Sequence, residues 1–209
     1  MNSFSSKTYW ERRYNENGHS GSGSYGRLAA YKADILNAFL SLNRVSSVLE
    51  LGCGDGNQLG LMTPVASYIG VDISETTLQN CRRKFSSSNY TFFRSEFLDR
   101  AVSAELVLSL DVIFHLVEDN VFIEYMNELF NRSTKYVIIY TSNVDAEWPA
   151  EHVRHRHVTN FVKENIQGWT LKAYLPNKYT FDINNQNNTS FSDFMIFSKD
   201  DAPIFISAA

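Results

Sequence analysis

One stretch constrains this chain more than any other. Residues 48–56 read Val-Leu-Glu-Leu-Gly-Cys-Gly-Asp-Gly, an apolar run that breaks into three glycines at alternate positions. Glycine permits a tight turn and lets a ligand approach the backbone closely. A second strand pattern follows and ends on an acidic residue, Asp72. Open α/β sheets bind their ligands beyond the carboxyl ends of the strands, where such a loop and carboxylate would stand.

The remaining periodicity agrees with that architecture. Strand patterns cover residues 45–51, 68–72, 90–94, 105–110 and 136–140. Helical spacing covers residues 26–42, 118–130 and 158–166, and a helix capped by Ser74 runs to about residue 85. A short helix is predicted over residues 57–62, ended by Pro64. Residues 169–175 and 193–198 add two strands, joined through an asparagine-rich loop at 184–190. Five βα units followed by a strand pair predict an α/β fold, a mostly parallel sheet between helical layers. The 209 residues, 44% of them hydrophobic and 14% aromatic, are enough for one such domain with a sizeable core.

The glycine spacing narrows the ligand. A dinucleotide loop of the form G-x-G-x-x-G would need glycine at 57, and that position is Asn57. The pyrophosphate of a dinucleotide seeks a helix N-terminus without acidic neighbours. Here Glu50 and Asp55 flank Gly52, Gly54 and Gly56. S-adenosylmethionine carries no phosphate and presents an ammonium and a carboxylate, so acidic residues beside the loop suit it. Asp72 is placed to accept hydrogen bonds from both ribose hydroxyls, or else to cap the helix that follows.

At this point the chain resembles the class I, seven-stranded S-adenosylmethionine-dependent methyltransferases. Residues 48–57 look like their first motif, Val71-Asp72-Ile73-Ser74 like their second, and residues 104–116 like their fourth-strand motif. The resemblance implies a Rossmann-like three-layer sandwich with sheet order 3-2-1-4-5-7-6 and strand 7 antiparallel. It implies that Ile73 lies at the cofactor, that Glu96 accepts from the adenine amino group and that Phe97 flanks the ring, although the family more commonly has aspartate at 96. We divide the chain into an N-terminal lid and helix, residues 1–42, and a Rossmann-like core, residues 43–209, in a single domain.

Candidate chemistry lies after the fourth and fifth strands. Methyl transfer needs in-line alignment, exclusion of water and, for a hydroxyl acceptor, removal of a proton. Asp111 and His115 stand at the mouth of the predicted cleft, Asp111 as a contact to cofactor or acceptor and His115 as a base or as a packed histidine. His152-Val153-Arg154-His155-Arg156-His157 concentrates positive charge in a chain of net charge −4. There His152 or His155 is a candidate base, and Arg154, Arg156 and His157 candidate contacts to an anionic acceptor; the alternative is a solvated lead-in to a helix. No carboxylate accompanies these histidines, so no metal is expected. Tyr9, Trp10 and Tyr14 read as a lid over the cofactor or as packing on a sheet edge, and Tyr25 and Arg27 as a further substrate contact.

The same residues bound the function. The low pI of about 5.7 argues against a broad nucleic-acid footprint. Motifs for methylating base amino groups or cytosine carbon are missing. Cys53 and Cys81 have no metal spacing, and residues 1–7 show no apolar leader, so a cytoplasmic protein without membrane insertion is expected. Paired sequons at Asn187 and Asn188 are read as chance. The expected activity is O-methylation of a small, anionic acceptor such as a sugar, a sugar phosphate or a glycan intermediate. The alternatives are methylation of a protein side chain or small amine, and a non-catalytic cofactor-binding subunit.

Overall fold

The structure is a computed structural model that describes residues 4–16, 18–200 and 202–205; the first three residues of the leader reading above lie outside these. Seven strands form one sheet: β1 Ser47–Leu51, β2 Ser67–Asp72, β3 Tyr90–Arg94, β4 Ala104–Leu110, β5 Ser133–Thr141, β6 Trp169–Leu175 and β7 Asp193–Lys199. Their order is 3-2-1-4-5-7-6. The first five pair in parallel, and β7 runs antiparallel to both β5 and β6, as the resemblance implied. A separate two-residue ribbon pairs Ala146–Glu147 with Arg154–His155.

The helices are α1 Ser6–Asn15, α2 Gly26–Leu42, α3 Glu75–Lys84, α4 Asp119–Asn131 and α5 Val158–Asn165. Alternation along each strand sends side chains to opposite faces, and two cores result. Leu36, Phe39 and Leu40 of α2 with Leu78 and Cys81 of α3 pack on Val48, Leu106 and Ile138. On the other face, Phe122, Met126 and Leu129 of α4 with Val158 and Val162 of α5 pack on Leu49, Val107 and Val137. Helix, sheet and helix therefore form three layers.

Three elements depart from the sequence reading. The expected helix at residues 57–62 shortens to a 3₁₀ turn, Leu59–Leu61, because Asn57 is occupied: its amide donates to the Ser24 carbonyl at 2.7 Å. The aromatic piece around Tyr9 is a full helix, with Ser5 as its cap accepting from the Thr8 amide. The asparagine-rich loop contains the 3₁₀ segment Ile183–Asn188.

Candidate active site

The loop after β1 turns back at once, with the Gly52 and Cys53 amides both donating to the Val71 carbonyl at 2.7 and 3.0 Å. Gly52, Gly54 and Gly56 all have left-handed φ, 84°, 54° and 71°. Side chains are also excluded by space. A Cβ on Gly52 would stand 2.4 Å from a methyl of Val112, and one on Gly54 would stand 2.4 Å from the Ser20 hydroxyl. Above this loop opens a cavity of about 530 Å³, bounded by the ends of β1, β2 and β4 and covered by α1.

Its floor is acidic. Glu50 is buried, accepts from the Tyr68 hydroxyl, and is pushed up to about 7 by burial. Asp72 accepts from the Gly54 amide at 2.9 Å and from the Ser74 amide at 3.0 Å, and burial raises its pKa. These bonds tie the glycine loop to the start of α3, while a carboxylate retains further lone pairs toward the cavity it lines. The cap of α3 is Ser74, which accepts from the Thr77 amide, so Asp72 holds the loop rather than capping the helix, and its remaining lone pairs are those a ribose contact needs. Burial also raises Asp55, but hydrogen bonds from Tyr25, Ser20 and Asn57 outweigh it and hold that carboxyl below its usual range.

Farther along, Ile73 and Glu96 line the cavity, Glu96 pairing with Lys7 at 3.3 Å and Arg94 at 3.2 Å. Phe97 does not line it. Its side chain is 69% exposed, and the apolar wall beside Glu96 is made by Leu98. The short 3₁₀ turn Ser95–Phe97 rotates the phenylalanine outward.

Asp111 lines the cavity with φ of 57°. Its carboxylate accepts from Lys32 at 2.7 Å and from the Ser192 hydroxyl at 2.8 Å. Lys32, on α2, has a side chain only 1% exposed. The sequence reading missed it, although the signal was present: Lys32 falls on the stripe of Leu28, Ala29, Ala33 and Leu36 that faces the core.

His115 forms the wall above Asp111. Its Nδ1 lies 3.0 Å from the His152 carbonyl oxygen. A carbonyl can only accept, so Nδ1 carries the proton and Nε2 keeps a lone pair. Burial lowers the His115 pKa to about 3, so the ring is neutral. Trp10 packs edge-on at 4.7 Å, and Tyr9 stacks on His152 at 4.5 Å. Trp10 and Tyr14 line the cavity, whereas neither Tyr9 nor His152, the other candidate base, does; the His152 ring stacks on His115 at 5.5 Å. Ser6 donates twice to Glu118, at 2.9 and 2.6 Å, fastening α1 across the opening.

The rest of the basic cluster goes elsewhere. Arg156 donates to the carbonyls of Leu116 at 2.6 Å and Val117 at 3.0 Å, and pairs with Asp119 at 3.1 Å. Arg154 uses the same Val117 carbonyl and Asp119. His155 is buried against Ser142, whose hydroxyl lies 2.7 Å from Nδ1, and His157 meets the Thr159 hydroxyl. Arg154, Arg156 and His157 line a separate shallow depression. Arg27 donates to the Asn188 carbonyl and stacks over Tyr179, and the Tyr25 hydroxyl donates to Asp55. These residues bind the protein to itself rather than converging on the cavity. Among the described residues there is no group of side chains able to hold a metal, and no helix long and apolar enough to cross a membrane.

A sheet in this order, with a glycine loop after its first strand and a carboxylate closing its second, is the arrangement that the resemblance to class I, Rossmann-like methyltransferases implied. Residues 48–135 match the protein family described as a methyltransferase domain. None of the curated proteins matches the chain by sequence. Among solved structures, it is similar to the magnesium protoporphyrin IX methyltransferase ChlM of Synechocystis PCC 6803 with bound SAH. Identity there is 18% and the TM-score 0.67, covering 93% of this chain and 100% of that one. It is also similar to the N-methyltransferase NodS of Bradyrhizobium japonicum WM9 in complex with S-adenosyl-L-homocysteine (SAH), at 15% identity and TM-score 0.73, covering 94% and 100%. The methyltransferase domain of the bacterial protein CtHen1-C follows at 17% and 0.61, covering 81% and 97%.

Proposed function

We propose that the chain binds S-adenosylmethionine on the Gly52–Gly56 loop and transfers its methyl group to a hydroxyl of a small acceptor, such as a sugar or a glycan intermediate. The residues present fit that donor. The cavity of about 530 Å³ is of a size that holds a small-molecule ligand. Asp55 and Asp72 line it with no basic partner among the described residues, which suits a cationic ligand, while Glu96 pairs with Lys7 and Arg94 and Asp111 with Lys32. Ile73, Leu98 and Val112 supply apolar walls for a base. Bound there, the donor supplies a methyl already activated by its positive sulfur.

The observation that carries the hydroxyl acceptor is the neutral His115, with its Nδ1 proton committed to the His152 carbonyl. Its Nε2 is free to take the hydroxyl proton as the oxygen attacks. Buried imidazolium is costly on its own. In this reaction, however, the sulfonium loses its charge as the imidazole gains one, so the net charge of the cavity is unchanged. The Trp10 ring, on the cavity wall, offers a surface for a sugar ring. An anionic acceptor finds less support, because Arg154 and Arg156 are spent on backbone carbonyls and Asp119.

Transfer of labelled methyl to a panel of sugars, sugar phosphates and nucleotide sugars tests this reading. With the acceptor found, His115→Ala should lower kcat by about 10²–10⁴, the usual contribution of a positioned base. Turnover by that variant at the wild-type rate would remove His115 from the proton path.

A further inference from the structure

We infer that residues 18–25 form a latch over the donor site, and that Ser20 and Asp55 are positioning residues that set how long the donor stays bound. This inference rests on the donor reading above. The segment lies directly on the glycine loop. The Ser20 amide donates to Asp55 Oδ2 at 3.1 Å, and the Asp55 amide donates back to the Ser20 hydroxyl at 3.1 Å. The Tyr14 hydroxyl stands 3.1 Å from the same Ser20 oxygen. Tyr25 donates to Asp55 at 2.6 Å, and Asn57 donates to the Ser24 carbonyl at 2.7 Å.

The contact is close at two points. The Ser20 hydroxyl fills the place a Cβ on Gly54 would take, and a Cβ on Gly23 would stand 2.8 Å from the Asp111 carboxylate. Ser20 and Ser24 line the same cavity as Gly54, Asp72 and Asp111. A ligand on the glycine loop is therefore walled in by the segment on its outer side.

Composition shows why this wall is made to open. Six of residues 18–25 are glycine or serine. The 3₁₀ turn Ser22–Ser24 buries no residue, so no apolar burial opposes its release. Gly21 and Gly26, with φ of 87° and 55°, bracket the turn, and open space surrounds both. A left-handed glycine inside a short segment and another just after it can absorb backbone change as the segment lifts. What holds the segment is polar and replaceable by water, and its centre is the reciprocal Ser20–Asp55 pair. On this reading Asp55 acts on the donor through the segment, as a positioning residue.

SAH is the probe, and Trp10, on the cavity wall, supplies the fluorescence signal for stopped-flow association and dissociation. Ser20→Ala should raise the SAH dissociation rate by about tenfold, the equivalent of one or two net hydrogen bonds. Association should change much less. Amide exchange across residues 18–25, read by mass spectrometry on the whole chain, should be slowed by SAH in the wild type and much less in Ser20→Ala. Asp55→Asn should behave alike; Ser20→Ala carries the test if that variant fails to fold. A Ser20→Ala chain that releases SAH at the wild-type rate overturns the latch while leaving the donor reading intact. A wild type that does not bind SAH overturns the donor reading and the latch with it.

Discussion

Lys32 sets the electrostatics beneath the cavity. It is a buried ammonium whose partner, Asp111, sits at a strained backbone position, and it faces the Tyr140 ring at 5.2 Å. Removing one member of a buried pair strands the other charge. Lys32→Met should therefore destabilise the fold by about 3–5 kcal/mol, read by urea denaturation, and adding Asp111→Asn should recover part of the loss. Equal stability of wild type and Lys32→Met would show that the pair contributes nothing. The contrast with the glycine loop explains what was legible at this scale. Glu50, the glycines and Asp72 announce themselves because loop and carboxylate are read within one short βαβ stretch. Lys32 meets a partner 79 residues away, and Arg156 meets carbonyls 40 and 39 residues away. A count of local charge cannot see backbone acceptors, so the cluster at residues 152–157 read as a ligand site when its arginines serve the protein's own turns. Phe97 was misplaced for a local reason: a 3₁₀ turn shifts which neighbour points inward.

The connection between β4 and α4 is an element the arginines build. Leu116 and Val117 present carbonyls before the helix begins, whereas the Glu118 carbonyl already accepts from the Phe122 amide. Arg156 reaches across from the ribbon beside α5, takes the first two, and lays its guanidinium over Phe122 at 4.4 Å. Arg156→Ala should lower unfolding stability by about 1.5–3 kcal/mol, the range for hydrogen bonds involving a charged group. The measurement is again urea denaturation, and a loss under about 0.5 kcal/mol, typical of a plain surface change, would contradict this role. Strands and long helices were legible because their periodicity is written into consecutive residues. Strand β5 begins earlier than its apolar run, at Ser133, because the Ser133 hydroxyl donates to the Tyr136 carbonyl and so supports a polar start. Helix α1 was legible only as a lid or an edge segment, since its aromatic residues gain their meaning from contact with His115 and His152.

Across the whole molecule, acid and base act on stability through a few buried groups. An unfolded His115 takes a proton near pH 6.5, and the folded one refuses it until about 3, so acid costs stability over that window. Glu50 works oppositely: folded, it holds its proton to about pH 7, whereas unfolded it releases it near 4.5. Between pH 4.5 and 6.5 the two offset each other. Below 4.5 His115 acts together with Glu105, which Lys135 holds down to about 2, and stability falls steeply. Burial also lowers His152 and His155, which side with His115, so we expect wild-type stability to rise with pH from 4.5 to 6.5 and Glu50→Gln to steepen that rise. A variant profile no steeper than the wild type would show that Glu50 titrates normally. The two covered faces and the position of the cleft followed from the alternation of strands and helices, the sheet order from the family resemblance, and the donor reading from the glycine loop and its carboxylates. The acceptor did not, because the cavity wall proposed to receive it is assembled from α1 and the turn after β4, two pieces far apart in sequence. The most direct test of the account is calorimetric titration of the whole chain with SAH. We expect micromolar binding, weakened in Asp72→Ala by about 1.5–3 kcal/mol, whereas the absence of any heat of binding at millimolar SAH would contradict the account at its centre.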